Sequence, residues 1–193
     1  MRFGCQALTR ILGANASRHS EFEDEVKMWV FEEEVDGRNL TDIINEEHEN
    51  VKYFPGAKFP ENVRAVPDLI EVVKDADLLA FCLPHQFLSK ILPDIAANAK
   101  PGVIGLSAIK GIDFDENGIV LISESIRDTV GCDTSILMGA NVAKEMGEDQ
   151  FCETTIGYSN KENGEKWKLV RNSSARSQQK RMITQGLYIF PCV

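Results

Sequence analysis

Lys110 stands between the apolar run Ile104-Gly105-Leu106-Ser107-Ala108-Ile109 and Gly111. A lysine that leaves a buried strand and precedes a glycine points at whatever lies beyond the sheet. Its ammonium can polarise a ketone or hold a phosphate oxygen there. By residue type alone it would be one more solvated surface lysine. His85 follows a second apolar run, Leu78–Leu83, in Pro84-His85-Gln86-Phe87. It has the chemistry for acid–base work, but a lone histidine at a strand end is more often structural, and it is not counted as catalytic. Glu32 directly follows Val26-Lys27-Met28-Trp29-Val30-Phe31, 28 residues after Gly4. A carboxylate so placed can accept from a ribose hydroxyl and repel a 2′-phosphate; the run Glu32-Glu33-Glu34 reads equally as a solvated face. Asn141 lies in a loop after a third apolar run, Ile136-Leu137-Met138-Gly139, and a helix-start cap accounts for it as well.

The elements that must hold these residues alternate. Apolar runs of strand length that break into Gly, Pro or polar residues are the pattern of parallel strands buried on both faces, with ligands gathering beyond their carboxyl ends. Strands are expected at 26–31, 64–66, 77–83, 103–109, 135–138 and 154–157. Helices are expected at 4–16, where Ala7, Leu8, Ile11 and Leu12 share a face, and at 40–47, 67–76, 87–99, 121–130 and onward from residue 138 to Met146. Residues 50–62, with Pro55, Gly56 and Pro60, read as loop, and 113–118 as a turn. Such alternation is α/β with a mostly parallel sheet. The periodicity fades after Trp167. The closing Leu187-Tyr188-Ile189-Phe190-Pro191-Cys192-Val193 reads as a bare apolar end, the kind that favours aggregation.

The 193 residues suffice for one good core and a small appendage. A net charge of −9 disfavours nucleic acid and anionic membranes as partners. The charge is divided: residues 1–167 carry net −14, whereas Lys168 onward has five cations and no acid. No apolar stretch approaches the ~18 residues of a membrane span, and the first residues lack a secretory pattern, so a cytoplasmic protein is expected. Cys5, Cys82, Cys132, Cys152 and Cys192 have neither a CxxC pair nor metal-ligand spacing, so buried reduced thiols are expected and no metal site.

Residues 27–60 (KMWVFEEEVDGRNLTDIINEEHENVKYFPGAKFP), LLAFCLPHQF at 78–87, SAIKGID at 107–113, LMGANVAKE at 137–145 and FCETTIG at 151–157 closely resemble the cytosolic NAD-dependent glycerol-3-phosphate dehydrogenases of animals, over about residues 4–166. The resemblance implies a Rossmann-like, mostly parallel sheet with flanking helices and NAD as cofactor. It implies interconversion of sn-glycerol 3-phosphate and dihydroxyacetone phosphate, and a homodimer. It assigns cofactor contacts to Gly4, Phe31, Phe87 and Ala143, and a substrate contact to Lys110. Two departures qualify it. The family opens on a strand and a GxGxWG fingerprint, of which only the last glycine remains, as Gly4; the first strand is missing, which would leave a gap in the sheet and expose apolar surface. The family's helical substrate domain, which carries the catalytic lysine, is absent, so no general acid is assigned within this chain. Residues 1–167 are accordingly read as an incomplete NAD-binding domain and 168–193 as a divergent, disordered basic tail. The chain alone is expected to be nearly inactive; the alternative is a non-catalytic cofactor-binding or subunit-interaction fragment.

Overall fold

Leu78, Leu79, Ala80 and Phe81 are all fully buried. No apolar/polar alternation survives in them because both faces of their strand are covered. The computed structural model describes residues 2–115, 118–139, 154–171 and 187–190. In chain order its elements are α1 (Arg2–Ala16), β1 (Val26–Trp29), β2 (Glu34–Val35), β3 (Arg38–Asn39), α2 (Leu40–Glu47), β4 (Val63–Val66), α3 (Leu69–Val73) and β5 (Leu78–Phe81). There follow a 3₁₀ turn (His85–Phe87), α4 (Leu88–Asn98), β6 (Ile104–Ser107), β7 (Ile112–Asp115), β8 (Gly118–Leu121), α5 (Ile122–Val130), β9 (Asp133–Met138), β10 (Thr155–Gly157), α6 (Lys161–Arg171) and β11 (Leu187–Phe190).

Seven strands form one sheet in the order β10-β9-β6-β5-β11-β1-β4. Every neighbouring pair is parallel except β10 with β9. Side chains alternate between two cores. Leu78, Ala80, Met28, Ala65 and Leu106 pack with Leu8 and Leu12 of α1, Leu40 and Ile44 of α2, and Trp167 and Val170 of α6. Leu79, Phe81 and Val66 pack with Val72 and Val73 of α3, Leu88, Ile91, Leu92 and Ile95 of α4, and Ile126 of α5. The α4 residues recur at i, i+3, i+4 and i+7, the stripe a helix needs to lie on a sheet.

The expected gap is filled. β11 lies between β1 and β5 and pairs with both, Leu187 opposite Val26 and Leu78, and Ile189 opposite Met28 and Ala80. The apolar end read as a liability thus takes the first-strand position, because a central slot flanked by apolar strands on both sides favours apolar, β-prone residues. α6 runs to Arg171, past the Trp167 at which the sequence periodicity fades. Of the stretch 113–118 expected as a turn, residues 113–115 and 118 belong to the antiparallel strands β7 and β8, in which Ile112 pairs with Leu121.

The edge strand β4 is blunted by a side chain. The Ala65 amide donates to Asn45 Oδ1 at 2.7 Å, and Asn45 Nδ2 donates back to the Ala65 carbonyl at 3.0 Å. One residue of α2 thereby satisfies backbone groups that an edge would otherwise offer to another strand. Asn45→Ala is expected to cost about 1–3 kcal/mol, the usual loss when paired groups are stranded, read as a lowered urea midpoint with an unchanged slope.

Candidate functional site

The carboxyl ends of the parallel strands gather the residues whose types suggested chemistry. Phe31 lies just beyond β1 and is 56 % exposed; Phe87 closes the 3₁₀ turn after β5 and is 37 % exposed. Large aromatics left open beside a buried sheet offer flat apolar walls to a ring. Lys110 lies three residues past β6, and its Nζ donates to the Gly139 carbonyl at 3.2 Å. This contact joins the loop leaving β6 to the one leaving β9. Gly139 has φ 127°, a backbone region that side-chain-bearing residues rarely adopt, and it presents its carbonyl from that turn. Lys110 is thus an exposed residue whose ammonium is held by the Gly139 carbonyl.

Gly4 lies in the first turn of α1. The next residue, Cys5, directs its thiol at the Cys82 carbonyl, one residue past β5. The amino end of α1, with its positive dipole end, is thereby placed at the carboxyl edge of the sheet, where an anionic group would be met. Phe190, the last residue of β11, pairs with Phe81 at the same edge. Strand and helix that would normally be joined by one glycine turn arrive here from opposite ends of the chain. Ala143 and Asn141 lie outside the described residues.

The Glu32 carboxylate accepts from the Thr41 amide at 3.2 Å and from the Thr41 hydroxyl, tying the strand exit to the start of α2. Glu33 accepts from the Tyr53 hydroxyl at 2.6 Å and pairs with Lys52. The acidic run is therefore largely a structural clasp. His85 is exposed in the 3₁₀ turn. Cys5, Cys82 and Cys132 are buried and form no disulfide among the described residues, and burial pushes the Cys132 thiol up, away from the reactive thiolate.

The hairpin β7–β8 escaped the sequence reading. It begins directly after Gly111 and leaves Ile112, Ile119 and Leu121 between 43 % and 67 % exposed. The signal was the alternation in Ile112-Asp113-Phe114-Asp115, too short to separate from turn chemistry. A separate groove of about 430 Å³, bordered by Asp24, Asn45, His48 and Arg64, lies at the amino ends of β1 and β4, at the opposite end of the strands from these residues.

A parallel sheet covered on both faces, with a helix amino end, open aromatics and a lysine assembled at its carboxyl edge, defines a dinucleotide-binding α/β domain of the Rossmann class. Comparison with known proteins makes this specific. The family described as NAD-dependent glycerol-3-phosphate dehydrogenase N-terminus matches residues 2–164, and the chain belongs to that family. The Mus musculus glycerol-3-phosphate dehydrogenase 1-like protein is 54 % identical over 158 residues, covering 82 % of this chain and 45 % of its own length. The cytoplasmic NAD(+) glycerol-3-phosphate dehydrogenase of Rattus norvegicus is 51 % identical over 159 residues, covering 82 % of this chain and 46 % of its own. The glycerol-3-phosphate dehydrogenase structure from Plasmodium falciparum superposes with a TM-score of 0.84 at 32 % identity, across 100 % of this chain and 50 % of that one. The chain thus spans about half the length of the relatives it matches. Among the described residues no helix is long and apolar enough to cross a membrane.

Proposed function

We propose that this domain binds NAD at the carboxyl edge of its sheet and serves the interconversion of sn-glycerol 3-phosphate and dihydroxyacetone phosphate in the cytoplasm. The observation that carries this reading is the Lys110–Gly139 contact, which holds an exposed ammonium over the same edge as Phe31 and Phe87. When bound, the cofactor supplies hydride chemistry. Phe31 and Phe87 would flank its rings, the first turn of α1 at Gly4 would meet its phosphates, and Ala143 would add a backbone contact. Lys110 would draw the substrate's ketone or phosphate oxygen and stabilise charge gathering there. Support for the group is uneven: two exposed aromatics and an exposed lysine lie near the carboxyl edge, while the strand that ends there at Phe190 and the helix α1 are far apart in sequence. That unevenness favours a second reading, a domain that binds cofactor and pairs with other subunits without turnover. A homodimer through the family's interface is part of the proposal.

The test is a fluorescence titration with NADH and with NADPH, followed by NADH oxidation with dihydroxyacetone phosphate. Saturable NADH binding is expected, with little turnover. Lys110→Ala should retain NADH binding and weaken dihydroxyacetone phosphate binding to the NADH complex about tenfold or more, the loss of one charge-assisted contact. Failure to bind NADH saturably would sink the proposal. Brisk turnover would remove the second reading.

A further inference from the structure

β11 has an unusual place for a segment so late in the chain. It is a central strand, parallel to both neighbours, with Leu187 to Ile189 in register with Val26 to Met28, and Leu187 to Phe190 in register with Leu78 to Phe81. Its neighbours are buried: Val26, Met28, Leu78, Leu79, Ala80 and Phe81 are each fully buried. A strand accepted there must satisfy backbone groups on two flanks and lie between two apolar faces. Leu-Tyr-Ile-Phe suits that demand, with a β-branched and two aromatic residues in four. The remaining strands of the sheet and the helices that cover it all precede Arg171. Residues 172–186 separate β11 from α6, a tether that can reach about 50 Å when extended.

We infer that the slot between β1 and β5 is a strand-acceptor site and that Leu187–Phe190 is its tethered occupant, so that the chain completes its own sheet by β-strand addition in cis. The ligand class is an extended apolar peptide running parallel to β1 and β5, recognised mainly by its main chain and by its lack of charge. A site of this kind accepts the same strand from solution whenever the tethered copy is disabled. The acceptor slot is distinct from the proposed cofactor and substrate contacts, because it is built from β1 and β5 and not from Gly4, Phe31, Phe87 or Lys110.

Hydrogen exchange on the full chain tests this. The amides of Tyr188, Ile189 and Phe190 should exchange at least about a thousandfold slower than in an unstructured peptide, as central strands do. Full-length chain bearing Ile189→Pro loses a strand N–H and should lose protection across 26–29 and 78–81. A synthetic peptide of residues 184–193 should restore it saturably, and a scrambled peptide should not. Should the variant fail to fold, exchange in the unaltered chain decides alone. Rapid exchange at 188–190 with β5 and β6 still protected would overturn the assignment, as would an Ile189→Pro chain with unaltered protection in β1 and β5. Protection that disappears on dilution together with a sedimenting dimer would also overturn it, because the strand would then come from a second copy.

Discussion

Trp167→Ala is expected to lower the stability of the domain by about 3–5 kcal/mol, the range for removing a large buried aromatic. Domains are stable by only about 5–15 kcal/mol in all, so the variant should unfold near or below physiological temperature. Trp167 is fully buried on α6 and belongs to the core that α1 and α2 also pack into, with Val170 fully buried one turn on. Asn15, itself buried in α1, donates to the Val170 carbonyl at 2.9 Å, fastening the two helices at their ends. The indole Nε1 is buried and has no partner among the described residues. An orphaned donor already costs about 1–3 kcal/mol, so Trp167→Phe removes part of the packing and that penalty together. It should cost well under half of what alanine costs. Calorimetry of the pair decides: equal losses would show that α6 is not packed through this side chain.

Gly13→Ala is expected to destabilise, although propensity argues the other way. Alanine in place of glycine within a helix is worth up to about 1 kcal/mol. Here the added Cβ would lie 2.6 Å from Val63 Cγ2, at the point where α1 crosses β4. Real carbon contacts do not approach so closely, so the helix must lift off the strand. Such overpacking costs about 1–3 kcal/mol. The crossing is also held by Asn62, whose Nδ2 donates to the Gly13 carbonyl at 2.9 Å and to the Asp24 carbonyl at 2.7 Å. A lift of the helix would stretch the first of these. The steric term should win, with a net loss of about 1–2 kcal/mol. A double-mutant cycle isolates the cause: in a Val63→Ala background the clashing methyl is gone and Gly13→Ala should become neutral or favourable. Additive losses would refute the close-contact account.

Much of the sheet and its flanking helices was legible because its residues announce burial locally. Leu78–Phe81 needs apolar residues on both faces, and α4 shows its stripe at Leu88, Ile91, Leu92 and Ile95. That Phe31, Phe87 and Lys110 stand at strand ends was legible from the apolar runs before them, while their roles came from the family resemblance. Long-range context accounts for the rest. α6 has only Trp167, Leu169 and Val170 to mark its buried face, and its Asn163 and Gly164 weaken any helical signal. Nothing within Leu187–Phe190 says that its partners are residues 26–29 and 78–81. Glu32 illustrates the same limit at the site: its type and its place at a strand end do not say that the Thr41 amide and hydroxyl donate to it. Local type gave its charge; only the fold gave its partner.

The position of β11 also has a consequence for synthesis. In a sheet whose first strand leads the chain, the nucleus can assemble as the polypeptide emerges. Here a central strand is made after every other strand and helix described, and its partners lie more than a hundred residues upstream. Closing so long a loop is entropically slow, and incomplete sheets expose apolar edges. Until residues 187–190 leave the ribosome, β1 and β5 are separate open edges. Translation speed and chaperone cover between the synthesis of β5 and that of β11 should therefore govern the yield of folded protein more than the sequence of its core.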